Sequence, residues 1–389
     1  MKASPVLISI VLTCLRIPPA AGGADPMAKA GVPELKRAVI ANYAAVASAS
    51  YQDSLASAKK LQSAVDALLA KASEKTLAAA RRAWLSAHQT YSLTETFRFY
   101  NGPIDQVEAL LNSWPIDASY IDSAADAPDA GIVNAVSNYP TISRALVISL
   151  NAKDGKQNIS TGFHAIEFLL WGQPPGGRGA GNRSWHDYAV GAKNVQRRSE
   201  YLRLVTDLVV EHLQTVANAW ASGDRDNFRA KFVAMDPNTA LADVLMGMGA
   251  LSGPELSGER LTTAYETKER SEQQDCFSDS TCDDLIANAI GIQNVFLGRY
   301  TCLSGQKIEG SGVFGLLKQV DPDFAGKLSA QVSGAVAAVH DIPPPFDQAI
   351  LGTNQSPNRI AMKKAITALQ TQSDLIAQVV KLLSIKLDL

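Results

Sequence analysis

Apolar residues recur every three or four positions along most of this chain, and β-type alternation between turn signals is nearly absent. The clearest stretch is residues 197–220. There Leu202, Val205, Leu208, Val209, Leu213, Val216 and Trp220 fall on one face of a 3.6-residue helix. Residues 32–69, 74–99, 324–339 and 358–387 carry the same spacing less cleanly. The pattern predicts an all-α protein of two packed helical-bundle domains. Punctuation supports the division. Residues 172–184 form a loop rich in Gly, Pro and Arg, and DIPPPFD at 341–347 stops one late helix before the last begins. The polar stretch 222–238 ends in Asp-Pro-Asn and reads as the inter-domain region. The domains expected are residues 30–232 and 233–389.

The first 24 residues differ in kind. Lys2 precedes an apolar run over 6–15 and then the small-residue stretch PPAAGGA, the order of a secretory signal cleaved between Ala20 and Ala24. A buried N-terminal helix and a lipid anchor at Cys14 are the alternatives, although Thr13 is bulky for the residue before a lipidated cysteine. Beyond residue 20, no low-charge apolar run approaches the ~20 residues of a membrane span.

With 46% hydrophobic and 19% charged residues among 389, the chain can bury a sizeable core. Its 36 Lys plus Arg against 38 Asp plus Glu leave a net charge of −2 without basic runs, which argues against nucleic acid as partner. Removing the signal leaves Cys276, Cys282 and Cys302. In an oxidising periplasm these predict one disulfide and one free thiol, with three pairings open. No Cys-x-x-Cys occurs, so neither a thioredoxin-type site nor covalent haem is signalled.

Candidate chemistry concentrates in TGFHAIEFLLWGQ, residues 161–173. His164 and Glu167 stand three apart, so a helix sets them on one face about 5–6 Å apart at Cβ. A transition metal, iron or zinc, takes both groups as ligands. The bland alternative is a histidine satisfied by its own helix's glutamate. Ser160 or Thr161 is expected to cap this helix, and Gly162 to allow close backbone approach. Two ligands leave a metal site incomplete. The rest would come from His88, His186, His212, His340 or a distant carboxylate. There is no His-Glu-x-x-His, Phe168 stands where an inverted zinc-protease pattern needs histidine, and no Glu-x-x-His pair for a di-iron bundle occurs.

Two further polar clusters accompany this motif. In residues 94–108, Glu95 and Arg98 stand three apart among Phe97, Phe99 and Tyr100, before an Asn-Gly-Pro turn and Asp105. LLNSWPID follows at 110–117. In residues 251–285, Ser278-Asp279-Ser280-Thr281 is dense in acceptors for helix-start amides. GSGVFG at 310–315 fits Gly-x-Gly-x-x-Gly in form, but no strand precedes it in a βαβ setting.

Taken in order, these blocks resemble the imelysin family. RRAWLSAHQTYSLTETFRFYNGPID, LLNSWPID, GFHAIEFLLWGQ, LSGERL, CFSDST and the late PPFD carry the likeness over essentially the whole mature chain. Gly162, His164 and Glu167 match the family's Gly-x-His-x-x-Glu signature. The resemblance implies a two-domain helical protein, periplasmic or associated with the outer membrane, that works beside iron-uptake proteins. It places the signature near the domain interface as a metal site, and it carries a peptidase label. One departure precedes Cys-Phe-Ser-Asp: relatives often have an acidic residue and a histidine there, and this chain has Gln273, Gln274 and Asp275.

The reading favoured is iron handling. His164 and Glu167 bind a metal or metal chelate in a cleft between the domains, with Gly162, Glu95, Arg98, Asp105, Ser278 and Asp279 around the pocket. Arg98 would meet an anionic chelate. A metallopeptidase using His164 and Glu167, and a structural helical module without metal, are the alternatives.

Overall fold

The computed structural model describes residues 31–125 and 127–385. The segment read as a secretory signal, Cys14 included, lies outside the described residues. Helix α1 (Val32–Ala70) buries Tyr43, Ala47, Tyr51, Ala58, Leu61, Val65 and Leu68 along one stripe. Helix α2 (Glu74–Ser92) starts in a capping box: Ser73 Oγ accepts from the Thr76 amide while Thr76 Oγ1 accepts from that of Ser73. Its buried stripe runs Leu77, Ala80, Trp84, Ala87, His88 and Tyr91. The apolar pattern predicts a helix as far as residue 99. The chain instead turns at Leu93, passes through a short 3-10 turn (Glu95–Phe97) and bends with positive φ at Phe99 and Asn101. Phe97 and Phe99 belong to this compact turn, and tertiary packing overrides their helical spacing.

Short helices α3 (Glu108–Leu111), α4 (Ala118–Ile121) and α5 (Arg144–Leu150) lead to α6 (Gly162–Trp171), which is buried along its whole length. Helix α7 (Val195–Ala219) follows the loop at 172–184 and agrees with the predicted stripe. The stretch read as inter-domain contains α8 (Phe228–Ala234), whose Phe232 is buried and packs edge-on against Trp220.

Helix α9 (Pro237–Ala250) is capped by Asp236 and runs straight into a π-helical segment (Leu251–Thr262), then α10 (Thr263–Thr267). A π stretch widens the helix and moves side chains off the α register, a geometry common at functional sites. After α11 (Thr281–Leu297), strands β1 (Arg299–Thr301) and β2 (Lys307–Glu309) form an antiparallel hairpin. Helices α12 (Val313–Val320), α13 (Pro322–His340), α14 (Phe346–Ala349) and α15 (Pro357–Leu382) complete the fold. Gly310 and Gly312 of GSGVFG serve packing: Gly298 ends α11 at φ 71°, and a Cβ there would meet Gly310 and Gly312 backbone at under 3 Å.

Helices α1, α2, α6 and α7 pack on one another, as do α9, the π segment, α11, α13 and α15. Helix α1 also touches α9 and α12, α11 lies against α2, and the buried apolar side chains form one contiguous core. Among the described residues, no helix is long and apolar enough to cross a membrane. The expected disulfide is absent there, since Cys276, Cys282 and Cys302 are all free. Cys282 starts α11 and Cys302 lies beyond its end, about 25 Å away along a helix of that length. Cys276 faces Glu167 and Arg270, whereas Cys282 faces Asp279 and Asp283.

Candidate metal site

Helix α6 is pinned from three sides. Trp84 Nε1 donates to Phe163 O at 2.9 Å, Tyr188 Oη to Leu169 O at 2.7 Å, and Arg81 to Leu170 O. At its start Gly162 has φ +86°, and a Cβ on it would lie 2.4 Å from Leu111 O. The expected close approach is therefore present. The expected cap is not: Ser160 Oγ donates to Val147 O and Thr161 Oγ1 has no partner.

Fixed in this way, His164 meets side chains from three other segments. Its Nδ1 lies 3.2 Å from Glu167 Oε2 and 3.4 Å from Asp275 Oδ1. His88, from α2, turns its own Nδ1 to Asp275 Oδ1 at 3.3 Å and to Asp284 Oδ2 at 2.9 Å. All five groups are at most 3% exposed. His88, His164 and Asp275 each place one ligand atom within 4.8 Å of the others.

The hydrogen bonding around this centre is lopsided. On the outside it is well satisfied. Asn112 Oδ1 accepts from His88 Nε2 at 2.8 Å, and Ser92 Oγ donates to Asp284 Oδ1 at 2.9 Å. Glu167 Oε1 accepts from the amides of Phe277 (3.0 Å) and Ser278 (2.6 Å) and from Ser278 Oγ (2.7 Å). On the inside, His88 Nδ1, His164 Nε2, both Asp275 oxygens and Asp284 Oδ2 are buried without a hydrogen-bond partner. The 2.9 Å approach of His88 to Asp284 is off the line a hydrogen bond requires. Buried polar atoms are rarely left so. With Nε2–H given to Asn112, Nδ1 faces two carboxylates, which calls for positive charge between them, either a proton on Nδ1 or a metal ion. Two imidazoles and a carboxylate, oriented by outer hydrogen bonds, therefore fit a transition-metal ion.

Charge points the same way. Burial would lower the His88 pKa, but Asp284 beside it and then Asn112 outweigh this, and the value is raised. Burial, and then charge on His88, holds His164 well below the usual imidazole range. Burial lifts Glu167 to about 7 despite the bonds from Ser278 and Phe277. Three carboxylates face one chargeable imidazole, an imbalance that a cation relieves.

Beside the centre runs an ion-pair network. Glu95 Oε2 accepts from Arg98, and from Arg260 at 2.7 Å; Arg260 also reaches Glu255, and its Nη1 donates to Gln274 Oε1 at 2.9 Å. Arg98 further pairs with Glu108 at 3.3 Å. Three carboxylates already match two guanidinium groups, so Arg98 is not set up to take an anionic chelate as expected. Asp105 lies apart from the centre, spending its oxygens on the amides of Phe99 and Gly102 to hold their turn. Asp279 is half-buried on the loop that carries Ser278. Of the histidines considered as further ligands, only His88 arrives. A cavity of about 280 Å³ reaches Arg270, Cys276 and Phe277 but not the imidazoles, so the centre lies beneath the surface rather than in an open cleft.

The network sets a pH dependence. Burial alone would raise the Glu95 carboxyl, but Arg98 and then Arg260 pull it from 4.5 down to about 2. The ionised network thus contributes stability above about pH 4.5, and that contribution is lost as pH falls from there to about 2. Denaturation midpoints measured across that window should fall steeply in wild type and less steeply in Glu95→Gln.

Sequence spacing did not single out Asp275, Asp284 or Arg260 as site residues, and it left Asn112 between a helix-capping and a pocket role. A signal existed for Asp284: Thr281, Asp284 and Asn288 follow helical spacing on the stripe where α11 is buried. His88 likewise sits on the apolar stripe of α2, four residues after Trp84.

The fold and this centre define a class: a helical-bundle protein with one short hairpin and with buried imidazoles and carboxylates gathered from four segments. Comparison with known proteins gives the family. The imelysin family model, described as peptidase M75, matches residues 47–376, and the chain belongs to that family. It is 24% identical over 339 residues to iron-regulated protein A of Synechococcus elongatus, covering 84% of this chain and 80% of that one. A crystal structure described as an iron-regulated protein A precursor of Parabacteroides distasonis matches with TM-score 0.69 and 21% identity. That match covers 92% of this chain and 97% of that one. An imelysin-like protein from Psychrobacter arcticum matches with TM-score 0.61 and 13% identity, over 92% and 98%.

Proposed function

We propose that this protein handles iron, holding Fe(II) between His88 Nδ1, His164 and Asp275, with Glu167 orienting His164 and Asp284 balancing charge. The observation that carries the reading is the set of buried, unpartnered ligand atoms facing one another. Two histidines and one carboxylate with further positions open suit non-haem Fe(II), and zinc is the competing ion. The names of two relatives, both iron-regulated protein A, agree with that choice. Full burial suits a held ion better than a polypeptide substrate, which would have to reach the ligands.

The deciding measurement is metal content of the mature protein by mass spectrometry, with iron and zinc titrations of wild type and His164→Ala/Glu167→Ala. Near-stoichiometric metal lost in the double variant is expected; equal, negligible binding by both would refute the site. Because Glu167 titrates at about 7 and the His88 pKa is raised, protons compete with the ion. Affinity should therefore fall as pH drops below about 7.

The same reading has the protein outside the cytoplasm, periplasmic or associated with the outer membrane, beside iron-uptake proteins. N-terminal sequencing of the exported protein should begin between Ala20 and Ala24 or just after; an intact Met1 would contradict export by this route.

A further inference from the structure

We propose that Asp279 and Asp347 form an outer cation subsite, which takes a divalent ion from solvent and passes it along Glu167 to the buried ligands. The direction of travel rests on the inner cluster being a metal site; the outer subsite itself does not.

Three segments converge here. Asp347, on α14, is only 3% exposed. Its Oδ2 accepts from the Gly179 amide at 2.9 Å, while Oδ1 is buried with no partner. Asp279 also has a buried, unpartnered Oδ1, and its amide donates to Asp275 O at 2.9 Å, which ties it to the backbone of an inner ligand. The 172–184 loop lies over both: Gly181 N–H donates to Phe277 O at 2.7 Å, next to the amide of Ser278 that binds Glu167. The half-exposed Asp279 thus lies within reach of the charges of Asp347 and Glu167, and Glu167 Oε2 faces His164.

The local charge favours a cation. Burial first, then Asp347 and Glu167, raise the Asp279 carboxyl to about 6 against the opposing charge of Arg270. Arg270 is the positive group that acts on Asp279, and its Nη2 already donates to the carbonyls of Gly179 (2.9 Å) and Cys276. A purely structural role for Asp347 accounts for Oδ2 and Gly179 but leaves Oδ1 unexplained, because a buried oxygen without a donor is costly. Carboxylates lining a route also raise the local concentration of a counter-ion and hence its association rate.

The probe is Mn(II) alone, followed by electron paramagnetic resonance and stopped-flow on the full mature chain. Asp279→Asn is the principal variant, since asparagine tolerates the residue's φ of +64°; Asp347→Asn is the second. Each should lower the association rate of the inner ion about tenfold, with one inner ion still bound. In a His164→Ala/Asp275→Asn background, one weakly held Mn(II) should remain and vanish when Asp279→Asn is added. Unchanged association rates in both asparagine variants, or no residual ion in the inner-site background, would overturn the subsite. If wild type itself binds only the ion that depends on Asp279, the outer subsite stands and the inner-site reading fails.

Discussion

His88→Ala is expected to abolish metal binding, lowering Fe(II) affinity at neutral pH by at least about a hundredfold. Loss of an outer-shell partner costs about 10–100-fold, and loss of a ligand should exceed it. Asn112→Ala supplies that milder comparison, because it removes the acceptor that fixes the His88 tautomer. The apo protein should respond with the opposite sign to Asp275→Asn. That change removes one of three carboxylates crowded about His88 and His164, so thermal stability without metal should rise while binding is lost. Calorimetry with and without Fe(II) reads both effects. A structural ion pair predicts the reverse, with Asp275→Asn lowering apo stability and neither variant altering metal content.

Gly162→Ala should be strongly destabilising, costing about 3–5 kcal/mol of stability. Left-handed backbone alone disfavours alanine by about 1–2 kcal/mol. The added Cβ would lie 2.4 Å from Leu111 O and 2.7 Å from Leu111 C, backbone atoms that cannot rotate away. Relief requires moving α6 relative to α3, and with it His164. Binding should therefore weaken alongside stability. Gly315→Ala is the control: it lies in α12 with nothing within 4 Å of a new Cβ, and should stabilise by about 0.5–1 kcal/mol. Urea denaturation midpoints of the two variants should move in opposite directions; a shift below 1 kcal/mol for Gly162→Ala would mean the α6 start is not so constrained.

Much of this architecture is legible in the chain itself, for identifiable reasons. Helices α1, α7, α13 and α15 fall where period-3.6 stripes run unbroken, because burying such a stripe decides a long helix. The end of α2 is not legible, since Phe97 and Phe99 keep the spacing while packing bends the backbone. The His164–Glu167 pair is legible because a helix makes neighbours of residues three apart. His88, Asp275 and Asp284 are not, because their approach depends on how α2, α11 and the 270–280 loop dock on α6. The predicted disulfide fails for a similar reason: counting cysteines says nothing about the length of α11 that lies between two of them.

The scattering of the inner ligands has a consequence for the order of events. His88 and the last carboxylate, Asp284, are separated by about two hundred residues of chain. During synthesis at about 5–20 residues per second, His88 waits about 10–40 s for Asp284 to exist at all. A nascent or truncated product ending before residue 275 can offer an ion only two imidazoles and a glutamate that lacks its backbone donors from Phe277 and Ser278. On the metal-site reading, loading then follows synthesis of the 275–284 segment, and a bound ion certifies that this segment has docked on α2 and α6.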